Sequence, residues 1–201
     1  GLWGRGVLLE VEQDRGYVNS RDAVDHRVVG LADDREAVVL EALDQPQLPQ
    51  RLAAVELLDP LSGRFDEAIR ELNAILSEDP GNADARIHLA RCLAWKGDLR
   101  GSLDQSSKVL AVSPDNKDAL LVRANALKWS GNPNAGMSIY KGLLKRGEDF
   151  DTRLGLSQAF LSTGYIRGAR DGAKRLTPEY PYQEKERKNL YAEIDKATRP
   201  V

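Results

Sequence analysis

Glycine recurs along this chain at a nearly constant interval. The positions are Gly63, Gly97, Gly131 and Gly164, separated by 34, 34 and 33 residues, and Pro80 and Pro114 are also 34 residues apart. A repeat unit of this length is one pair of helices, which is too small to bury its own apolar face. Neighbouring units must therefore stack against one another, and the interval predicts a helical repeat protein.

Apolar residues recur at helical spacing on both sides of each glycine. In the unit that contains Gly97, the first helix has Ile87, Leu89, Ala90 and Leu93, and the second has Leu99, Leu103, Val109 and Leu110. Glycine between the two helices supplies the left-handed cap that a tight turn needs. The longer joints carry proline followed by asparagine, so proline stops one helix and asparagine can start the next.

The stretch from Gly63 to Asn82 resembles the second helix and following joint of a tetratricopeptide repeat. Phe65 stands two residues after the glycine, Ala68 five after and Pro80 seventeen after. The later units keep much of the pattern, with Ser102, Gly136 and Ala169 at the alanine position and Pro133 at the aromatic one. The resemblance covers about residues 49–178. It implies an all-α, right-handed superhelical solenoid of antiparallel helix pairs.

On this alignment the chain divides into a repeat domain and two flanking segments. The expected units are 49–82, 83–116, 117–149 and 150–180, about four repeats, although Pro60 interrupts the first helix of the first unit. Residues 181–201 read as a C-terminal capping helix and tail, since terminal repeats need a polar outer face. Residues 1–48 form an acidic segment without the repeat, either helical or a degenerate repeat.

Charge is unevenly distributed along the chain. The net charge is −2, but residues 1–60 carry 6 arginines against 12 acidic residues, whereas the remainder carries 23 basic and 19 acidic residues. The basic excess is too diluted for a nucleic-acid-binding stripe. No apolar stretch approaches the roughly 20 residues of a membrane span. The single cysteine, Cys92, excludes an internal disulfide and leaves both cytoplasm and periplasm open.

The sequence carries no recognisable catalytic or cofactor motif. His88 and Cys92 are four residues apart on one predicted helix, but two ligands do not make a structural zinc site. The glycines lack the spacing and the following Lys-Ser or Lys-Thr of a phosphate-binding loop. We therefore expect a protein that is not an enzyme, with no catalytic residues, no metal and no cofactor.

Two tryptophans fall in register with the repeat. Trp95 and Trp129 each precede a turn glycine by two residues, at the end of a first helix. In the tetratricopeptide family the first helices line a concave groove. The resemblance thus implies a partner-binding wall made of Ile87, Arg91, Trp95, Leu121, Asn125, Lys128, Trp129, Leu154 and Gln158, together with Ala94 and Leu161. The alternative is that each tryptophan packs against the neighbouring unit.

The family's clamp for a chaperone's C-terminal carboxylate is absent. Ile87 stands at its first lysine position, and Arg91 and Val122 stand at its asparagine positions. The doubled Leu-Xaa-Trp-Xaa-Gly motif at 93–97 and 127–131 is similar to repeats in scaffolds of bacterial exopolysaccharide secretion. That similarity favours a periplasmic setting over a cytoplasmic one.

The sequence thus predicts a binding scaffold whose groove takes another protein or a peptide segment. Tryptophan and arginine are the residue types that dominate binding hot spots. Two other functions stay open. The tryptophans could stack on the sugar rings of a polysaccharide, or one end of the solenoid could dock on another copy to make a homo-oligomer.

Overall fold

The computed structural model describes residues 64–199, and within this range the chain is entirely helical. Its eight helices are α1 (Phe65–Glu78), α2 (Ala83–Lys96), α3 (Leu99–Val112), α4 (Lys117–Trp129), α5 (Pro133–Leu144), α6 (Phe150–Ser162), α7 (Ile166–Lys174) and α8 (Pro181–Thr198). The expectations for residues 1–48 and for the first helix of the first unit lie outside the described residues.

The helices pack as consecutive pairs in two layers. Each helix contacts the next along the chain, and among the first helices α2 also contacts α4, and α4 also contacts α6. Among the described second helices α1, α3, α5 and α7, by contrast, no direct contact occurs. The stack therefore has a continuous inner layer of first helices and an outer layer of second helices. The predicted all-α solenoid of antiparallel pairs is confirmed.

The recurrent glycines close the tight turn inside each pair. Gly97, Gly131 and Gly164 have φ angles of 93°, 83° and 77°, and within the described residues no other residue has a positive φ. A side chain in this left-handed region would crowd the following carbonyl oxygen. The 34-residue interval thus has a backbone cause, although Gly63 lies outside the described residues.

Asparagine and aspartate side chains begin most of the helices. The side chains of Asn82, Asn116 and Asn132 each accept a hydrogen bond from the backbone N–H three residues later, and those of Asp98 and Asp149 do the same. These bonds satisfy backbone donors that the first helical turn leaves unpaired. Pro133 occupies the first turn of α5, where its missing N–H costs nothing.

A small residue stands at the same position in each of the four described second helices. Ala68, Ser102, Gly136 and Ala169 occupy equivalent positions, and all four are buried. At Gly136 the helices α4 and α5 approach so closely that an added Cβ would lie 2.8 Å from the Ala124 carbonyl oxygen. Helix separation, rather than hydrophobicity, therefore sets the residue type at this position.

The C-terminal helix α8 ends the described solenoid by packing on α7 and α6. Leu190 and Ile194 of α8 join Ala169, Ala173 and Leu176 in one apolar cluster. Most other residues of α8 are polar and point to solvent. Of the helices described, none has the length and apolar character needed to cross a membrane.

We expect opposite effects from alanine at two glycines one helix apart. Gly131→Ala should lower the free energy of unfolding by about 1 kcal/mol because its φ is positive. Gly142 lies within α5 with open space around its Cβ position, so Gly142→Ala should raise stability by about 0.5–1 kcal/mol. Urea unfolding of the two variants measures both changes, and equal changes would contradict the turn assignment.

A second pair of substitutions tests the crossing position in α3. The Ser102 hydroxyl is buried and has no hydrogen-bond partner among residues 64–199, whereas the equally buried Ser106 hydroxyl donates to the Ser102 carbonyl oxygen at 2.9 Å. Ser102→Ala should therefore raise the free energy of unfolding by about 1 kcal/mol. Ser106→Ala, which removes a satisfied hydroxyl from the same helix, is the control and should give a smaller gain or a loss.

Candidate functional site: the concave surface

The two tryptophans lie at equivalent places on adjacent first helices, and each is partly packed and partly exposed. Trp95, at the end of α2, is 39% exposed, and its ring centroid lies 6.2 Å from that of Phe65 on α1. Trp129, at the end of α4, is 45% exposed, and the Lys128 amino group lies 5.2 Å from its ring centroid. Trp95 therefore combines packing on the preceding helix with surface exposure, and the contact described for Trp129 is with its own neighbour Lys128.

Arg91 is a cation available to a ligand beside Trp95. It lies one turn before Trp95 on α2, so the two side chains share a face of that helix. The side chain is half-buried, and within residues 64–199 it makes no hydrogen bond or ion pair. Its guanidinium can therefore receive a carboxylate or a carbonyl oxygen without first breaking an internal pair.

Lys128 is a weaker cation because the structure partly removes it from water. Its amino group donates a 2.6 Å hydrogen bond to the Gln158 side-chain oxygen on α6. Burial lowers the pKa of Lys128 to about 8, while Glu193 on α8 partly opposes this by favouring the charged form. The hydrogen bond from Lys128 to Gln158 thus links α4 to α6, and the charge interaction between Lys128 and Glu193 links α4 to α8.

Asn125 has a structural partner beneath the surface. Its side-chain oxygen accepts a 2.5 Å hydrogen bond from the hydroxyl of Tyr140, which is fully buried. Burial raises the pKa of this hydroxyl, so it stays protonated as a donor. Gly155 leaves room for the Tyr140 ring, since a Cβ there would lie 2.6 Å from it. Asn125 therefore helps to hold α4 and α5 together at the edge of α6.

The leucine and isoleucine side chains of the predicted wall are mostly covered by other residues, so they offer little surface to a ligand. Ile87 is only 4% exposed and packs in a core cluster with Val109 and Val122. Leu154 and Leu161 pack against the cluster that contains the α8 residues Leu190 and Ile194. Leu121 is half-buried against Tyr140 and Leu156, and Ala94 is buried.

The exposed part of the predicted wall is thus concentrated on α2 and α4. It consists of the exposed Trp95 and Trp129 and the half-buried Arg91 and Lys128, and Leu121, Asn125 and Gln158 border it. We call this set the tryptophan surface. Helix α8 packs beside α6 at the other end of the inner layer. The sequence analysis did not include Phe65 and Glu193 among the residues near this surface. The aromatic position two residues after Gly63 could have indicated Phe65, whereas no local sequence pattern indicates Glu193.

Across the described helices, no three histidine, cysteine, aspartate or glutamate side chains lie close enough together to hold a metal ion. His88 and Cys92 are both buried in α2. The tryptophan surface offers aromatic area, one strong cation and amide groups, which suit recognition of a bound segment.

The lowered pKa of Lys128 can be measured by NMR, which follows the titration of each lysine separately. In a protein labelled with ¹³C-lysine, the Cε resonance of Lys128 should titrate near pH 8, and Lys128→Met identifies that resonance. A titration of this resonance near the ordinary value of 10.5 would contradict the packing against α6.

The same shift predicts a pH-dependent stability difference. Between pH 8 and 10.5 the unfolded chain holds the Lys128 proton while the folded chain releases it, so rising pH favours folding. Relative to Lys128→Met, the free energy of unfolding of the wild type should therefore rise across this range, by on the order of 1–3 kcal/mol. Urea unfolding of both proteins at several pH values measures the difference.

Comparisons with known proteins agree with this architecture. A tetratricopeptide-repeat family model matches residues 61–105. A search of the curated proteins found no match. Among solved structures, a tetratricopeptide-repeat protein from Parabacteroides merdae matches with a TM-score of 0.57 at 18% identity. That match covers 81% of this chain and 66% of the other, just under two thirds of its length.

Two further solved structures show the same fold. A thermophilic tetratricopeptide-repeat protein from Thermus thermophilus matches with a TM-score of 0.61 at 17% identity, over 81% of this chain and 86% of the other. YrrB, described as a tetratricopeptide-repeat protein with an unusual peptide-binding site, matches with a TM-score of 0.52 at 14% identity, over 80% and 92% of the two chains. Residues 61–105 thus match the repeat family, and the described part of the chain has the same solenoid fold as these structures.

Proposed function

We propose that this chain is a non-catalytic scaffold that binds a segment of another protein on its tryptophan surface. The observation that carries the proposal is the pair of half-exposed indole rings, at equivalent places on the adjacent helices α2 and α4, with the unpaired Arg91 beside them. Large aromatic side chains and arginine are the groups that contribute most at protein interfaces. The solenoid supplies the rigid wall that holds these groups in place.

The geometry favours a segment that crosses α2 and α4. Arg91, Trp95, Leu121, Asn125, Lys128 and Trp129 would make the contacts, and Gln158 would border them. Ile87 and Leu154 are left out because their side chains are largely covered by the core and by the cluster under α8. Since α8 packs beside α6, the bound segment would run towards the N-terminal end of the solenoid.

A peptide is the partner class that best fits this surface. The indole rings offer flat apolar area, Arg91 offers a bidentate donor, and the Asn125 and Gln158 amides offer hydrogen bonds to a peptide backbone. YrrB, which shares the fold, is described as having a peptide-binding site. That description supports a peptide ligand for such a solenoid.

The tryptophans should be needed for binding but not for folding. In Trp95→Ala with Trp129→Ala, partner capture should be lost, because both rings already expose two fifths or more of their surface. The loss of stability should stay well below the ~3–5 kcal/mol of a buried aromatic truncation. Affinity capture from host-cell extract, followed by mass spectrometry and thermal unfolding, measures both effects.

Tyr165→Ala provides the matched control for this experiment. Tyr165 is also exposed, at 55%, but it begins the second helix α7 and lies outside the tryptophan surface. The same partners should be retained by this variant and lost only by the tryptophan variant. Retention of all partners by the tryptophan variant would contradict the proposed site, as would a loss of stability typical of core residues.

Carbohydrate is a second candidate ligand, favoured by the same exposed rings. Sugars stack on tryptophan faces, and the flanking arginine and amide groups could bind hydroxyls. Addition of oligosaccharides should then quench the tryptophan fluorescence of the wild type but not that of the Trp95→Ala, Trp129→Ala variant. A place in an exopolysaccharide-secretion assembly of the cell envelope rests on the Leu-Xaa-Trp-Xaa-Gly motif, and fractionation of the host cell would test it.

A further inference from the structure

The outer surface of the last two helix pairs carries an excess of exposed cations. They lie on and just after the second helices α5 and α7, at Lys141, Lys145, Arg167, Arg170, Lys174 and Arg175, and this set is called the basic face. Helix α5 contains no acidic residue, and α7 contains only Asp171. The cations thus belong to the outer layer of second helices, whereas the tryptophan surface belongs to the inner layer.

Most of these charges are not neutralised within the described part of the chain. Lys145, Arg167 and Arg175 make no ion pair there, and Lys141 lies over the Phe160 ring, 5.4 Å from its centroid. Arg170 pairs with Asp195 at 3.3 Å, and Lys174 pairs with Asp171 at 3.8 Å. Both pairs are solvent-exposed, so they hold these side chains only weakly. The basic face can therefore accept further carboxylates.

The chain itself contains the complementary charge. Residues 10–44 hold ten acidic residues against four arginines and no lysine. This segment precedes the repeats, and the function proposed above makes no use of it. Its net charge of −6 is opposite in sign to the basic face, and it exceeds in size the charge of the four cations that make no ion pair within the described residues.

The basic face suits this segment better than the tryptophan surface does. The tryptophan surface has Arg91 and a Lys128 of lowered pKa, and the first turns of its helices carry Asp84 and Asp118. The other cations of these two helices already make hydrogen bonds or ion pairs; they are Arg86, Lys96, Lys117 and Arg123. On α5 and α7 the exposed cations outnumber the acids, so the electrostatic free energy favours docking there.

The segment is long enough to reach. Six helix-to-helix steps of 8–10 Å separate α1 from α7, which is at most about 60 Å. Thirty-five residues span roughly 53 Å if they are helical and up to roughly 115 Å if they are extended. A tethered segment also acts at an effective concentration in the millimolar range, far above that of a second copy in dilute solution. Docking within one chain is therefore favoured over docking between chains.

From this placement of charge, we propose that the acidic segment, residues 10–44, docks on the basic face of α5 and α7 of the same chain. The docked segment covers the outer surface of the last two helix pairs and leaves the tryptophan surface open. Because exposed ion pairs are individually weak, the contact depends on several pairs acting together and on low ionic strength.

Carbodiimide cross-linking of the full chain tests this proposal directly. The reagent joins a carboxylate to an amine in contact with it, and the segment has no lysine of its own. At low salt, peptide mapping should find residues 10–44 joined to Lys141, Lys145 and Lys174, with several-fold less joined to the exposed Lys108 and Lys188. Roughly 0.5 M salt, which shortens the Debye length to a few ångströms, should abolish these products.

Isotope mixing and matched arginine variants complete the experiment. In a mixture of ¹⁴N and ¹⁵N chains, the products should lie within one chain. Arg167→Gln with Arg175→Gln should lower the yield at Lys145 and Lys174 several-fold, whereas Arg100→Gln, an exposed arginine on α3, should not. Products spread evenly over all lysines, products mainly between chains, products that survive high salt, or no change in the double variant would each overturn the proposal.

Discussion

The architecture depends on the fact that one helix pair cannot bury its own apolar face. Each first helix packs on its own partner, on the preceding second helix and on the neighbouring first helices, so the core is continuous along the stack. This packing demands a tight turn within each pair and a close crossing of its two helices. Glycines of positive φ meet the first demand, and small buried residues meet the second.

The same stacking creates the candidate site. Because the first helices follow one another in register, residues one period apart come to lie side by side on the inner layer. Trp95 and Trp129, from two separate stretches of sequence, thereby come to equivalent and partly exposed places on adjacent helices. Rigid helices hold the rings, and the hydrogen bond from Tyr140 to Asn125 ties the edge of that surface to the outer layer.

Much of the candidate site could be predicted from sequence because the period is local and regular. The tryptophans, Arg91 and the turn glycines all follow from counting residues along a helical repeat. Burial was harder to predict. Ile87 and Leu154 share a helix face with exposed residues, and the neighbours that cover them come from other helices. A periodic pattern predicts which side of its helix a side chain occupies, but it does not predict how far other helices bury that side chain.

Sequence alone determined the helix pairs, their turns and the register of the two tryptophans, since these depend on backbone conformation and on spacing along the chain. Only the tertiary structure decided which positions stay open. It placed α8 beside α6, and it buried Lys128, whose pKa is lowered by that burial. The docking of α8 depends on side-chain packing between elements that share no repeat, so no interval in the sequence encodes it.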